Sequence, residues 1–362
     1  MKSGLNITQM RDELLRQSGA KADYVVDTRC LEMDYGDTGM VLRMLDERSN
    51  DLVEPLDINQ IAHRQIGTQL KIPAPYYDRM MRDNPTLLAH NTNTWFRQEP
   101  SQRMLRTLDG TARAYLSNRY RRIDHLEILQ SVLPVLEQIP DAQFESSNIT
   151  DNRMYLKVVN PRLETEVAKG DVVQAGIMIS NSETGMGAVC VQPLVFRLVC
   201  LNGMIVNDAK TRKNHVGRVQ EGDENFQLFS DRTLEADDHA FLLKIQDTVR
   251  SVVDEALFHQ VVSLMKDATQ ARMNTADIPT VVKLAGRDFG ISEAESNGVL
   301  NRLIEDHDLT LYGLANAVTR YSQDVESYDR ATDLEGIGYN ILSMPQQQWH
   351  RLNQVSGVSI AA

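Results

Sequence analysis

At 362 residues, 42% hydrophobic and 24% charged, the chain is long enough for two or three sub-domains in contact and is not disordered, collagenous or coiled-coil in composition. A formal net charge of −12 excludes a uniformly basic nucleic-acid binder. There is no run of about 18 apolar residues and no signal-peptide core near the N-terminus, so a cytoplasmic protein with no membrane partner is expected.

In chain order, 1–95 reads as a mixed α/β lobe. Met10, Leu14 and Leu15 share one face of a helix over 7–18, with Thr8 as its cap. Strand-like pieces follow at 24–33 and 40–45. Ile61, Ile66 and Leu70 then mark a helix over 59–70, and a short helix over 76–83 precedes Asn84-Pro85.

The segment 96–220 reads as a β-rich core, with strands at 101–108, 112–117, 152–159, 174–180 and 187–201. Asp109-Gly110 is a hairpin signal between the first two. One helix, 124–137, interrupts them; Asp124 with Glu127 three residues on forms a capping box, and Pro134 kinks its last turn. From 221 to 362 the pattern is helical. It includes the stripe Phe241, Leu242, Ile245, Val249, the Ser292/Glu295 capping box and a helix over 309–321. The fold class is α+β: an antiparallel β-rich core with a covering helix, a mixed N-terminal lobe and a helical C-terminal region.

Catalytic and nucleotide-binding motifs are absent: there is no Walker A loop, GxSxG, HExxH or GxGxxG. The eight histidines lack metal-ligand spacing, and His125, His239 and His259 read as surface or interhelical residues. Cys30, Cys190 and Cys200 form no metal pattern and read as buried reduced thiols. The expectation is a protein that is not an enzyme, with no cofactor and no metal.

Charge is unevenly spread. Between Arg97 and Arg122 stand seven arginines against Glu99 and Asp109 alone. Period-two alternation places Arg113, Tyr115 and Ser117 on one face of a strand, and Arg119, Tyr120, Arg121 and Arg122 follow it. Single-stranded nucleic acid requires cations along its phosphates and flat side chains beneath its bases, and this stretch offers both. The same pattern also suits a strand face whose arginines pair with the acidic C-terminal helices. Lys210, Arg212 and Lys213 lie in a second basic stretch that reads as an exposed loop and a secondary phosphate contact.

Asn181-Ser182-Glu183-Thr184-Gly185 reads as a plain hairpin turn. Arg197, set between Phe196 and Leu198, suits either a grip on a carboxylate or phosphate or an internal salt bridge. Its apolar neighbours favour the salt bridge, with Asn202-Gly203 as the corner.

Taken in order, Asn181 to Gly185, Phe196-Arg197-Leu198-Val199-Cys200-Leu201-Asn202-Gly203-Met204 and Leu311-Tyr312-Gly313-Leu314-Ala315-Asn316-Ala317 carry a resemblance. The chain resembles the phage/plasmid-like protein family catalogued as domain of unknown function 932, over roughly 62–328. The resemblance implies a phage, prophage or plasmid origin and supplies no activity or site residues. In element order and charge placement, hairpin, helix and antiparallel strands are also similar to phage single-strand annealing recombinases of the RecT/Redβ type. That likeness implies a basic groove for single-stranded DNA and assembly into homo-oligomers.

The expected function is single-stranded nucleic-acid binding by Arg113, Tyr115, Arg119, Tyr120, Arg121 and Arg122, with Lys210, Arg212 and Lys213 assisting, as an annealing or recombination accessory. The alternative is a structural or interaction protein that contacts a host or phage protein through its acidic helices.

Overall fold

A computed structural model describes residues 1–36, 39–45, 52–118, 120, 122–207, 231–252, 255–274 and 277–354. Two sheets organise the first two-thirds of the chain, and helices pack on them, an α+β arrangement.

The first sheet draws on β1 (Lys21–Asp27), β2 (Leu31–Gly36), β3 (Gly39–Leu45), β4 (Leu52–Ile58), β5 (Gln102–Leu108) and β6 (Thr111–Ser117), in the order β1-β5-β6-β4-β3-β2. Its pairs are antiparallel except β4 with β6, where Asp57 stands opposite Thr111. α1 (Ile7–Ala20) precedes it and is capped by Asn6 rather than Thr8, because the Asn6 side chain accepts the Gln9 N–H. α2 (Gln60–Gln69), α3 (Ala74–Asp83) and α4 (Pro85–Gln98) cover one face, where Ile66, Tyr77, Met80, Leu88 and Phe96 meet Met33, Leu42, Leu105 and Tyr115. Asp109 and Gly110 turn β5 into β6 with positive φ at both (49° and 75°), the twist a two-residue hairpin needs. β1 pairs with β5 along its whole length, so this sheet takes strands from both sides of residue 95, which lies in α4.

The second sheet runs β11-β10-β9-β8-β7, all antiparallel, from β7 (Gln143–Ile149), β8 (Met154–Ala168), β9 (Asp171–Asn181), β10 (Cys190–Arg197) and β11 (Asn202–Ile205). Both of its faces are covered, so alternation sorts side chains between two cores. Leu156 and Val158 of β8 enter a cluster with α1, α5 (His125–Leu136) and α6 (Asp231–Val252). Tyr155 and Val159 point the other way and meet Tyr328. Val173, Ala175, Val195 and Met204 join a third cluster with α7 (Glu255–Gln270), α8 (Ile278–Phe289), α9 (Glu293–Asp306), α10 (Leu311–Tyr321), α11 (Tyr328–Leu342) and α12 (Gln346–Asn353). Among the described residues no helix is long and apolar enough to cross a membrane.

Asn202-Gly203 is not the corner expected of it. Arg197 pairs with Asn202 across the ladder, so the turn is 198–201, closed by Leu201 at φ 51°. Asn202 instead donates its side-chain amide to Thr319 Oγ1 at 2.6 Å and ties β11 to α10. Arg197 itself is the internal pin: its Nε donates to Asp171 Oδ1 at 2.6 Å, and its guanidinium lies 5.6 Å from the Tyr312 ring centre.

Candidate functional site

The two sheets meet around one buried loop, the connection from β9 to β10. Asn181, Ser182, Glu183 and Thr184 are all at most 4% exposed. A plain hairpin turn stands in water, whereas this one is inserted between β6, α2 and the N-terminus of α5. Gln65 of α2 holds it from one side, donating to the Thr184 carbonyl at 2.7 Å while accepting the Tyr115 N–H at 2.7 Å.

Glu183 is the hub. Its carboxylate accepts from the Arg113 guanidinium and from the backbone N–H of His125 (2.6 Å), and its carbonyl accepts from Arg106 at 2.9 Å. Burial opposes the Glu183 charge, but the Arg113 guanidinium and the backbone N–H of His125 outweigh it and hold the carboxyl below its usual range. Arg106 is fully buried and grips Asp23 through two nitrogens (2.9 and 3.1 Å) and Asp124 through one (2.6 Å). Lys21 also pairs with Asp124.

Asn181 completes the centre by donating its Nδ2 to the Ile123 carbonyl (3.1 Å) and to His125 Nδ1 (3.0 Å). His125 therefore accepts at Nδ1 and is neutral, and burial lowers its pKa to about 4. It is a buried residue at the head of α5, not a surface or interhelical one. His63 of α2 is likewise buried; it bonds the Tyr77 hydroxyl at 2.9 Å and is lowered by burial to about 4.

The expected interface residues divide into three groups. Arg113 and Tyr115 do not share an exposed face. The β5–β6 register runs Thr107 to Ala112 and Arg106 to Ala114, so Arg113 is an extra, bulged residue and the alternation resets there. The bulge aims Arg113 at Glu183 and leaves Tyr115, 3% exposed, against Phe96 in the helix-covered core. Tyr120 is half-buried with its hydroxyl 3.4 Å from the Ser182 carbonyl, and Arg122 is 54% exposed while reaching Asp23 at 3.3 Å. Arg119, Arg121, Lys210, Arg212 and Lys213 lie outside the described residues.

The acids that pair with Arg106, Arg113 and Arg122 are Asp23, Asp124 and Glu183, none of them in the C-terminal helices. Arg106 and Glu183 were not singled out as site residues. Arg106, like Arg197, is a lone arginine inside an apolar strand, Met104-Leu105-Arg106-Thr107-Leu108, and that pattern marks it in the sequence.

A sequence profile described as "Domain of unknown function (DUF932)" matches residues 114–354. The chain belongs to the DUF932 family. The DUF932 region starts within β6 and runs through α12, later at both ends than the span 62–328 read from the sequence. Asp124, His125, Asn181 and Glu183 fall inside it, while Lys21, Asp23, Arg106 and Arg113 come from the part of the chain before it. The buried network thus joins the DUF932 region to the N-terminal sheet. No curated protein and no solved structure matches the chain.

Proposed function

We propose that this DUF932 protein binds single-stranded nucleic acid through the connector between β6 and α5, as a non-catalytic, homo-oligomeric annealing or recombination accessory of phage or plasmid type working in the cytoplasm. One observation carries the reading. The connector holds three arginines in four positions, 119, 121 and 122, and is anchored at its α5 end, where buried Arg106 holds Asp124 and Glu183 accepts the His125 N–H. Arg113 then acts as the support beneath the surface and Tyr115 as core, while Arg119, Arg121 and Arg122 meet phosphate and Tyr120 offers its half-buried ring. Lys210, Arg212 and Lys213 remain the secondary contact in this reading.

The test is a fluorescence-anisotropy titration of a labelled, unstructured oligonucleotide with the intact protein. Binding that weakens as salt rises is expected, and no binding by folded protein would sink the reading.

A protein-contact role draws support from a different place than the acidic helices. In the turn between β10 and β11, Val199 and Leu201 are each 58% exposed. Assembly that ignores the oligonucleotide would favour that second reading.

A further inference from the structure

Between the second sheet and the α8–α11 corner lies an open cleft of about 520 Å³, within the usual range for small-molecule sites. Strand register sets its floor. Ser180 of β9 stands opposite Tyr155 of β8 and Cys190 of β10, Gln192 of β10 stands opposite Met178, and all five line the cleft. Met178 is only 3% exposed and Ile205, also in the lining, 2%, so the face that the cleft presents is polar.

Arg330 is spent on Glu295 (2.8 and 2.9 Å) and the Gly290 carbonyl (2.8 Å). Three other groups are not. Arg153, half-buried, pairs with no carboxylate among the described residues; it gives one N–H to the Met186 carbonyl (2.9 Å) and keeps its other donors. Room for it is made at Gly187, where a Cβ would overlap Arg153 Nη2. Asn207 accepts from Gln192 through Oδ1 at 2.5 Å, which leaves its two amide donors over. A Cβ at Gly336 would overlap that Nδ2. The Ser180 hydroxyl, on a residue 2% exposed, has no hydrogen-bond partner among the described residues. A hydroxyl held so is costly until a ligand or water completes it.

The unspent capacity is mainly donor: a guanidinium, a hydroxyl and an amide. A guanidinium free of acids beside a hydroxyl suits an oxyanion, and phosphate matches its planar fork. The volume exceeds what phosphate fills. Farther along the sheet, Asn207 Nδ2 offers donors and Gln192 Oε1 an acceptor, a pair that the hydroxyls of a sugar satisfy on both counts. We infer that this cleft binds a phosphorylated sugar, with Arg153 and Ser180 on the phosphate and Gln192 and Asn207 on the hydroxyls. Asp333, exposed at the rim, is the one carboxylate among the described lining residues and works against the anion. The inference goes beyond the nucleic-acid reading and stands without it, because a free sugar phosphate satisfies every contact and needs nothing from the β6–α5 connector.

Isothermal titration calorimetry of the intact protein with ribose 5-phosphate, ribose and inorganic phosphate tests it. Ribose lacks the charged group and is expected to bind at least about 10-fold more weakly than ribose 5-phosphate. Inorganic phosphate, without the hydroxyls, is expected to fall between them. Arg153→Ala is expected to lose at least about 10-fold for ribose 5-phosphate, and Asp333→Asn to bind it more tightly. Equal affinity for ribose and ribose 5-phosphate, affinity unaltered in a folded Arg153→Ala variant, or no ribose 5-phosphate binding at millimolar concentration would each overturn it. Should Arg153→Ala fail to fold, Ser180→Ala removes a hydroxyl that holds nothing in the protein and is expected to cost about 5-fold in affinity. An oligonucleotide bearing a 5′-phosphate, set against the same strand with a 5′-hydroxyl, separates the sources. A preference for the 5′-phosphate that Arg153→Ala abolishes assigns the site to a strand end, and no preference assigns it to a free sugar phosphate.

Discussion

Glu183 satisfies an arginine from a strand bulge with one carboxylate oxygen and a helix N-terminus with the other. Replacing it by alanine leaves Arg113 buried without its acid and the His125 N–H without its acceptor. Loss of one partner from a buried pair costs about 3–5 kcal/mol. Urea denaturation of Glu183→Ala is expected to show a loss of that size, and a change below about 1 kcal/mol would mean that the network is slack.

The buried histidines add a pH dependence of their own. His63 and His125 carry folded pKa values of about 4 against the ordinary 6.5, so below pH 6.5 the unfolded chain takes up protons that the folded protein refuses. Stability is complete above pH 6.5 and is lost as pH falls toward 4, each residue accounting for on the order of 3 kcal/mol across that window. The melting temperature is expected to drop by several degrees between pH 7 and pH 5. A flat profile over that range would count against neutral, buried imidazoles. Glu183, held below its usual range, adds a further loss only at lower pH.

At the scale of elements, Lys157 of β8 and Glu335 of α11 are each fully buried and joined at 2.6 Å, with the Lys157 ammonium 4.8 Å from the Tyr328 ring centre. This pair fixes how α11 sits on the second sheet. Lys157→Met alone strands Glu335, whose Oε1 already lacks a partner, and is expected to cost about 3–5 kcal/mol. The double change Lys157→Met with Glu335→Leu is expected to recover most of that loss, because an apolar pair of similar volume suits the site. Additive losses in a double-mutant cycle would contradict the pairing.

The same elements mark what the sequence could disclose. β5, β6, β9, α5, α9 and α10 announced themselves through periodicity, Asp109-Gly110 and the capping boxes, all local signals. β4, β7, α4 and α11 did not. α4 starts directly on Asn84-Pro85, its cap and first residue, and α11 mixes Asp329, Arg330, Asp333 and Glu335 into its pattern, of which Glu335 faces a buried lysine. The site was less legible than the fold for the same reason. One bulge at Arg113 reverses the facing that alternation assigns, and only the register with β5 reveals it.

Over the whole molecule, the chain is acidic, yet seven arginines stand between Arg97 and Arg122. Arg106 and Arg113 neutralise Asp23, Asp124 and Glu183 inside the joint between the sheets, and Arg119, Arg121 and Arg122 follow them in sequence before α5. The account is tested most directly by the salt dependence of oligonucleotide affinity in the unaltered protein and in the triple change Arg119→Ala, Arg121→Ala, Arg122→Ala. Each phosphate contact on a single strand contributes about 0.7 to the slope of log affinity against log salt. The triple variant is predicted to keep its melting temperature, bind more weakly and lose about 2 from that slope. An unchanged slope in a folded triple variant would contradict the connector as the binding surface.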